Sequence, residues 1–170
     1  MKYYNLPKNP SSLAGTIGKE VPKEMQFWTK EEYLKFAEVM MDKPRSYYAF
    51  ELLYWTGIRS GELLALTPSD FDFEKQTLRI NKTFHRSKGE DIITTPKTVK
   101  SNRIITLPPF LCDEIKDYLG MFYEIGESER MFSFTKSYLG HEMERGCKAS
   151  GVKKIRIHDL RHSHVSLLIN

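Results

Sequence analysis

The chain of 170 residues is 40% hydrophobic, 12% aromatic and 28% charged, which suits one domain with its own core and excludes disordered or collagen-like classes. Its apolar runs, such as Phe50 to Trp55 broken by Glu51, fall short of the roughly 18 residues a membrane span needs, and no apolar stretch follows Lys2 and Lys8 as in a secretory signal. The net charge of +4 is mild but uneven: eight bases face two acids between Lys75 and Ile105, and five face Asp159 alone between Lys148 and Asn170. The remainder is therefore acidic and the molecule is electrically two-faced, a pattern that a solvated basic surface would also produce.

From Met1 to Met25 the prolines Pro7, Pro10 and Pro22, with Gly15 and Gly18, predict an extended leader. Thr29-Lys30-Glu31-Glu32 is a capping-box pattern, so a helix starts at Thr29 and carries Tyr33, Phe36, Ala37 and Met40 on one buried stripe. Asp42-Lys43-Pro44 turns the chain into a nearly all-apolar helix from Arg45 to Trp55, stopped by Gly57. A short helix over Ile58–Leu66 follows, with Arg59 at its start and Thr67-Pro68 at its end. Thr77–Asn81, Asp91–Thr95 and Arg103–Leu107 are β-branched runs separated by turn residues, predicting a three-stranded antiparallel sheet. Helices are then expected from Pro109 to Glu124, from Ser137 to Ser150 and from His158 onward. The fold class is α+β, mostly helical with one small basic sheet.

Cys112 and Cys147 have no metal-type spacing and are expected to pack in the core of a cytoplasmic protein. In the last helix Leu160 and the run from Val165 to Ile169 are expected to face the core. The helix reaches Asn170 without a capping glycine or polar tail, so the natural polypeptide is expected to continue.

Phosphodiester chemistry needs cations around the nonbridging oxygens, a proton donor for the leaving oxygen and a nucleophile. Arg59, just after a helix-stopping glycine, offers a guanidinium fork, and Glu62 three residues on can hold that fork in one rotamer. The same spacing also gives ordinary surface pairs. His158 and Arg161 share one face of a helix's first turn, where both can touch a phosphate, or where the histidine merely caps and the arginine meets solvent. His158 and His162 are half of a zinc-hydrolase pattern, but Asp159 stands where that pattern has glutamate and a third ligand is not evident.

Thr56-Gly57-Ile58-Arg59-Ser60-Gly61-Glu62-Leu63 with Leu66, a basic β-hairpin, and then His158-Asp159-Leu160-Arg161-His162-Ser163 together resemble the catalytic domain of tyrosine recombinases, the phage and conjugative-transposon integrases. The resemblance covers residues 27–170, a partial catalytic domain, and makes residues 1–26 a linker from a missing amino-terminal core-binding domain. It implies a C-shaped half-clamp on double-stranded DNA. The activity implied is site-specific recombination, with metal-free strand cleavage and rejoining through a 3′-phosphotyrosine, no cofactor and no membrane. Arg59 and Arg161 would bind the scissile phosphate, supported by Glu62, and His158 would assist proton transfer. Lys97, better placed before the strand turn than Lys100, would protonate the leaving 5′ oxygen. Lys82, Lys88, Lys100, Arg103 and His162 would contact DNA. The family's second His or Trp and its tyrosine nucleophile lie beyond the His-x-x-Arg helix, whereas the last tyrosine here is Tyr138. The stretch is thus expected to bind a phosphate without forming the covalent link. It is also expected to be a monomer, where full-length members form tetramers on DNA. A noncatalytic DNA-binding module or integrase remnant is the alternative.

Overall fold

The computed structural model describes residues 25–95 and 102–169. Lys97, Lys100 and most of the expected linker lie outside them. The order is α1 (Lys30–Met40), α2 (Pro44–Thr56), α3 (Ser60–Leu63), a 3-10 turn (Pro68–Asp70), β1 (Phe71–Asp72), β2 (Thr77–Ile80), β3 (Thr83–Ser87), β4 (Glu90–Thr94), β5 (Arg103–Thr106), α4 (Pro109–Gly120), α5 (Lys136–Ser150) and α6 (Asp159–Ile169). Among the described residues no helix is long and apolar enough to cross a membrane.

Helix α1 begins as its sequence dictates. Thr29 Oγ1 accepts from the Glu32 amide at 3.3 Å, the Glu32 carboxylate accepts from the Thr29 amide at 2.9 Å, and Tyr33, Phe36, Ala37 and Met40 are buried. Trp28, just before it, ties the helix into the rest of the domain. Its amide donates to Ser163 Oγ at 2.9 Å and its indole N–H to the Lys153 carbonyl at 2.7 Å. The Tyr33 and Tyr54 rings stack at 3.6 Å, joining α1 to α2 at the centre of the core. Cys112 and Cys147 are buried free thiols, as expected, and burial pushes both up in pKa.

The three-stranded sheet exists, with two of the expected strands and Phe71–Asp72 in place of the third. β2 is its central strand, paired antiparallel with β1 (Phe71 opposite Leu78) and with β5 (Thr77 opposite Thr106). Glu90–Thr94 pairs instead with Thr83–Ser87 in a separate hairpin, closed by Lys88 and Gly89, both at positive φ. β3 has one buried residue, Phe84, and no alternation to betray it. Helix α4 ends four residues before Glu124, and the Ile58–Leu66 helix is confined to Ser60–Leu63. In α6 it is Leu160, Ser163 and Leu167 that meet the core, whereas Val165, Leu168 and Ile169 are exposed. An apolar run carries no helical phase, and the three- and four-residue spacing from Leu160 decides the buried face.

Between α2 and α4 lies an acid pair, Glu51 buried and Glu114 half-buried. Glu51 is 4% exposed and accepts from the Tyr33 hydroxyl at 2.6 Å and the Trp55 indole at 2.7 Å, while Glu114 accepts from the Tyr47 hydroxyl at 3.1 Å. Burial, with the Glu114 charge beside it, pushes Glu51 up to about 7, and burial raises Glu114 as well. Glu114 Oε2 is buried without a hydrogen-bond partner among the described residues, and one proton held by the pair relieves the repulsion between its two carboxyls. The folded chain holds this proton up to about pH 7, whereas a free glutamate releases it near 4.5. Stability conferred by the acid pair is therefore full below pH 4.5 and lost as pH rises through 7, by about 3 kcal/mol. Thermal melting from pH 4.5 to 8.5 is expected to show that decline in the wild type and to show it flattened in Glu114→Gln.

Candidate functional site

Three segments remote in sequence meet where α2 ends. Gly57 stops α2 in the left-handed region (φ 60°), donating its amide to the Leu53 carbonyl at 3.1 Å. That turn aims the next residues away from the α2 axis, and Arg59 becomes the extended residue that opens α3. The Glu62 carboxylate reaches back, accepting from the Arg59 amide at 2.8 Å and from its guanidinium at 3.1 Å. From the first residue of β5, Arg103 adds a two-pronged ion pair to the same carboxylate, 3.0 and 2.8 Å. Against the cost of its burial, these bonds from Arg103 and Arg59 hold the Glu62 carboxyl below its ordinary range.

Arg161 arrives from α6 and donates to the Gly57 carbonyl at 2.7 Å. Its burial, together with the positive fields of Arg59 and Arg103 and against that of Glu62, lowers its pKa. The three guanidinium groups therefore share one neighbourhood. Glu62 is already taken by Arg103, so the charges of Arg59 and Arg161 are in excess there, and the Arg59 side chain is 54% exposed. A concentration of guanidinium forks with one face open to solvent offers donors of the kind that phosphate-like anions accept from.

The remaining sequence candidates are placed as follows. His158 is exposed on the turn before α6, and its ring packs edge-on against that of His162, 5.6 Å between centroids. Lys88 sits at the tip of the β3–β4 hairpin. Lys82 is committed inward, with its ammonium 2.6 Å from the buried Asp70 carboxylate and 3.0 Å from Thr67 Oγ1, and is not presented to a ligand. Among the described residues no group of three His, Cys, Asp or Glu side chains converges as a metal site.

Two contributors lay outside the sequence candidates, and Arg103, expected to contact DNA, also pairs with Glu62, a role invisible until β2 and β5 pair. His164 packs on Gly57 so closely that a Cβ there would lie 2.7 Å from the ring, and burial holds this histidine below its ordinary pKa. Asp159, 2% exposed, anchors the start of α6 by accepting from the Arg156 amide at 3.0 Å and from its guanidinium at 2.8 Å. The last had a signal, since Arg156 and Asp159 repeat the three-residue spacing of Arg59 and Glu62.

Fold and site together define a mostly helical domain that gathers arginines around a place for an anion. Residues 26–170 match the Phage integrase family, and the chain belongs to it. The ICEBs1 integrase of Bacillus subtilis (strain 168) is 32% identical over 165 residues, 87% of this chain and 44% of that protein. The integrase of Staphylococcus phage L54a is 27% identical over 203 residues, covering 99% of this chain and 57% of its own length. The fold is shared with the Tn1549 transposon integrase (residues 82–397) solved in complex with circular intermediate DNA, TM-score 0.75 at 22% identity over 86% of this chain and 55% of that one. It is shared also with XerA recombinase, TM-score 0.69 at 20% identity over 91% of this chain and 52% of that one. The chain thus spans about half the length of the relatives it matches.

Removing the Glu62 carboxylate leaves like charges facing one another. Glu62→Ala is expected to lower unfolding free energy by about 2 kcal/mol, moderated by the exposure of Arg59, as read by urea denaturation. Gly57→Ala, which adds backbone strain and a clash with His164, is expected to cost a similar amount, about 2 kcal/mol, in the same measurement.

Proposed function

We propose that this chain is the phosphate-binding part of an integrase catalytic domain. Its partner is double-stranded DNA and its reaction is site-specific strand cleavage and rejoining through a 3′-phosphotyrosine. The observation that carries the reading is the excess positive charge of Arg59 and Arg161 beside an already neutralised Glu62. As the bond to the leaving oxygen breaks, negative charge grows on the nonbridging oxygens of the scissile phosphate, and two fixed guanidinium groups stabilise that charge more than they stabilise the ground state. Glu62 and Arg103 hold the Arg59 fork in place.

In this reading His158, at the open end of α6, assists proton transfer, and Lys97 protonates the leaving 5′ oxygen. A general acid at that oxygen spares the leaving group from departing as an alkoxide. Lys88, Lys100 and His162 lie along the flanking duplex and supply sequence-independent phosphate contacts. In this reading the residues named here account for binding and charge stabilisation, and nucleophilic attack falls to a tyrosine. The amino-terminal residues 1–26 serve as the linker to a second DNA-embracing domain, and 27–170 as the catalytic part.

Two experiments test the assignment. In an integrase carrying this domain together with a downstream tyrosine, Arg59→Ala and Arg161→Ala are expected to abolish cleavage of a nicked suicide duplex while raising its Kd less than about tenfold. Equal loss of binding and cleavage would remove both residues from transition-state stabilisation. Lys97→Ala is expected to regain cleavage on a duplex with sulfur as the 5′ leaving atom, because a thiolate departs without a proton. Rescue of Lys100→Ala instead would transfer the general-acid role to Lys100.

A further inference from the structure

A two-stranded hairpin is marginal in water by itself, and β3–β4 buries one side chain of its ten, Phe84. Something other than its own core must hold it. The Arg130 guanidinium lies over the Phe84 ring, 4.1 Å from the centroid, while one nitrogen donates to the Leu64 carbonyl at 3.2 Å and another to the Asp91 carboxylate at 3.0 Å. One side chain thus touches β3, β4 and the end of α3. Arg130 is itself held from behind, because the next residue, Met131, donates its amide to the Leu66 carbonyl at 2.9 Å and accepts from the Tyr118 hydroxyl at 3.1 Å.

A second contact fixes where the hairpin sits. A Cβ on Gly61 would lie 2.6 Å from Thr83 Oγ1 and 3.0 Å from the Phe84 carbonyl oxygen, so β3 rests directly on the first turn of α3. That turn begins at Arg59. Hairpin and arginine cluster are therefore one mechanical unit, joined at Gly61 and clamped by Arg130. The Arg130 side chain is 17% exposed, and its charge is spent on internal contacts.

We propose that Arg130 is a positioning residue that locks the β3–β4 hairpin, with His85, Arg86 and Lys88, against the Arg59 turn so that both meet one stretch of duplex. The proposal rests on the DNA-binding reading above, but the clamp itself is testable without it. A planar guanidinium stacks on Phe84 and donates in two directions at once, whereas a lysine ammonium keeps the charge without that geometry.

The test uses this chain with Arg130→Ala and Arg130→Lys, read by amide hydrogen exchange, thermal melting and anisotropy with a fluorescent duplex. Both variants are expected to speed exchange of the 83–94 amides by about tenfold or more, with slow exchange retained in α1, α2 and α5. Both are also expected to weaken duplex binding by about three- to tenfold. Wild-type hairpin protection and affinity in Arg130→Lys, with affinity lost in Arg130→Ala, would make Arg130 a plain charge contact and overturn the proposal. Unchanged hairpin exchange in both variants would overturn it as well. If the wild type fails to bind duplex, the DNA reading falls and the positioning role with it, while accelerated exchange would still establish the clamp. Should Arg130→Ala not fold, Asp91→Ala removes one limb of the same contact and is expected to accelerate the same amides, and no acceleration there would count against the clamp.

Discussion

A nearly buried carboxylate with cations on two sides organises this domain. Glu62 is shielded from water, and a charge in that position survives only when donors surround it, which Arg59 provides from its own turn and Arg103 from the edge of a sheet. The helix that carries Arg59 is a single turn, too short to hold a shape unaided. Its geometry is imposed by the ion pairs below it, by β3 resting on Gly61, and by the left-handed stop at Gly57. Arg161 then reaches the cluster by way of a backbone carbonyl, not an acid, so its charge is left available.

The same turn joins site and core. The Gly57 carbonyl receives Arg161 and its missing side chain makes room for His164, so the packing of α2 against α6 and the spacing of two arginines are set by one glycine. Trp28 fastens the approach to α1 onto Ser163 of α6, on the side of that helix turned toward the core. Shifts of α6 would therefore be felt both in the aromatic core and at the arginines. The acid pair of Glu51 and Glu114 sits apart from this region and titrates on its own, coupling the α2–α4 contact to pH.

How far these features were legible in the chain depends on the range of the interaction. The Thr29 cap, the α1 stripe and the Gly57 stop are local, set by residues three or four apart, and they were predicted in place. The third strand of the sheet and the partner of Glu90–Thr94 were not. Phe84 is the one buried residue of β3, and its partner strand is chosen by a two-residue turn and by Arg130 from a loop some forty-six positions later. The face of α6 was likewise misassigned, because Val165, Leu168 and Ile169 are as apolar as Leu160 and Leu167 and only packing separates them.

By itself the amino-acid sequence determined the helical class, the two arginine motifs with their order along the chain, and the pairing of Arg59 with Glu62, since each follows from short spacings and from side-chain chemistry. Tertiary structure alone decided that Arg103 shares Glu62, that Lys82 turns inward to Asp70, that His164 fills the space left by Gly57, and that the hairpin leans on the Arg59 turn. Those outcomes join residues from twelve to more than a hundred positions apart, and no local periodicity encodes them. They emerge when burial of the common core brings the chain's distant charges close enough to require one another.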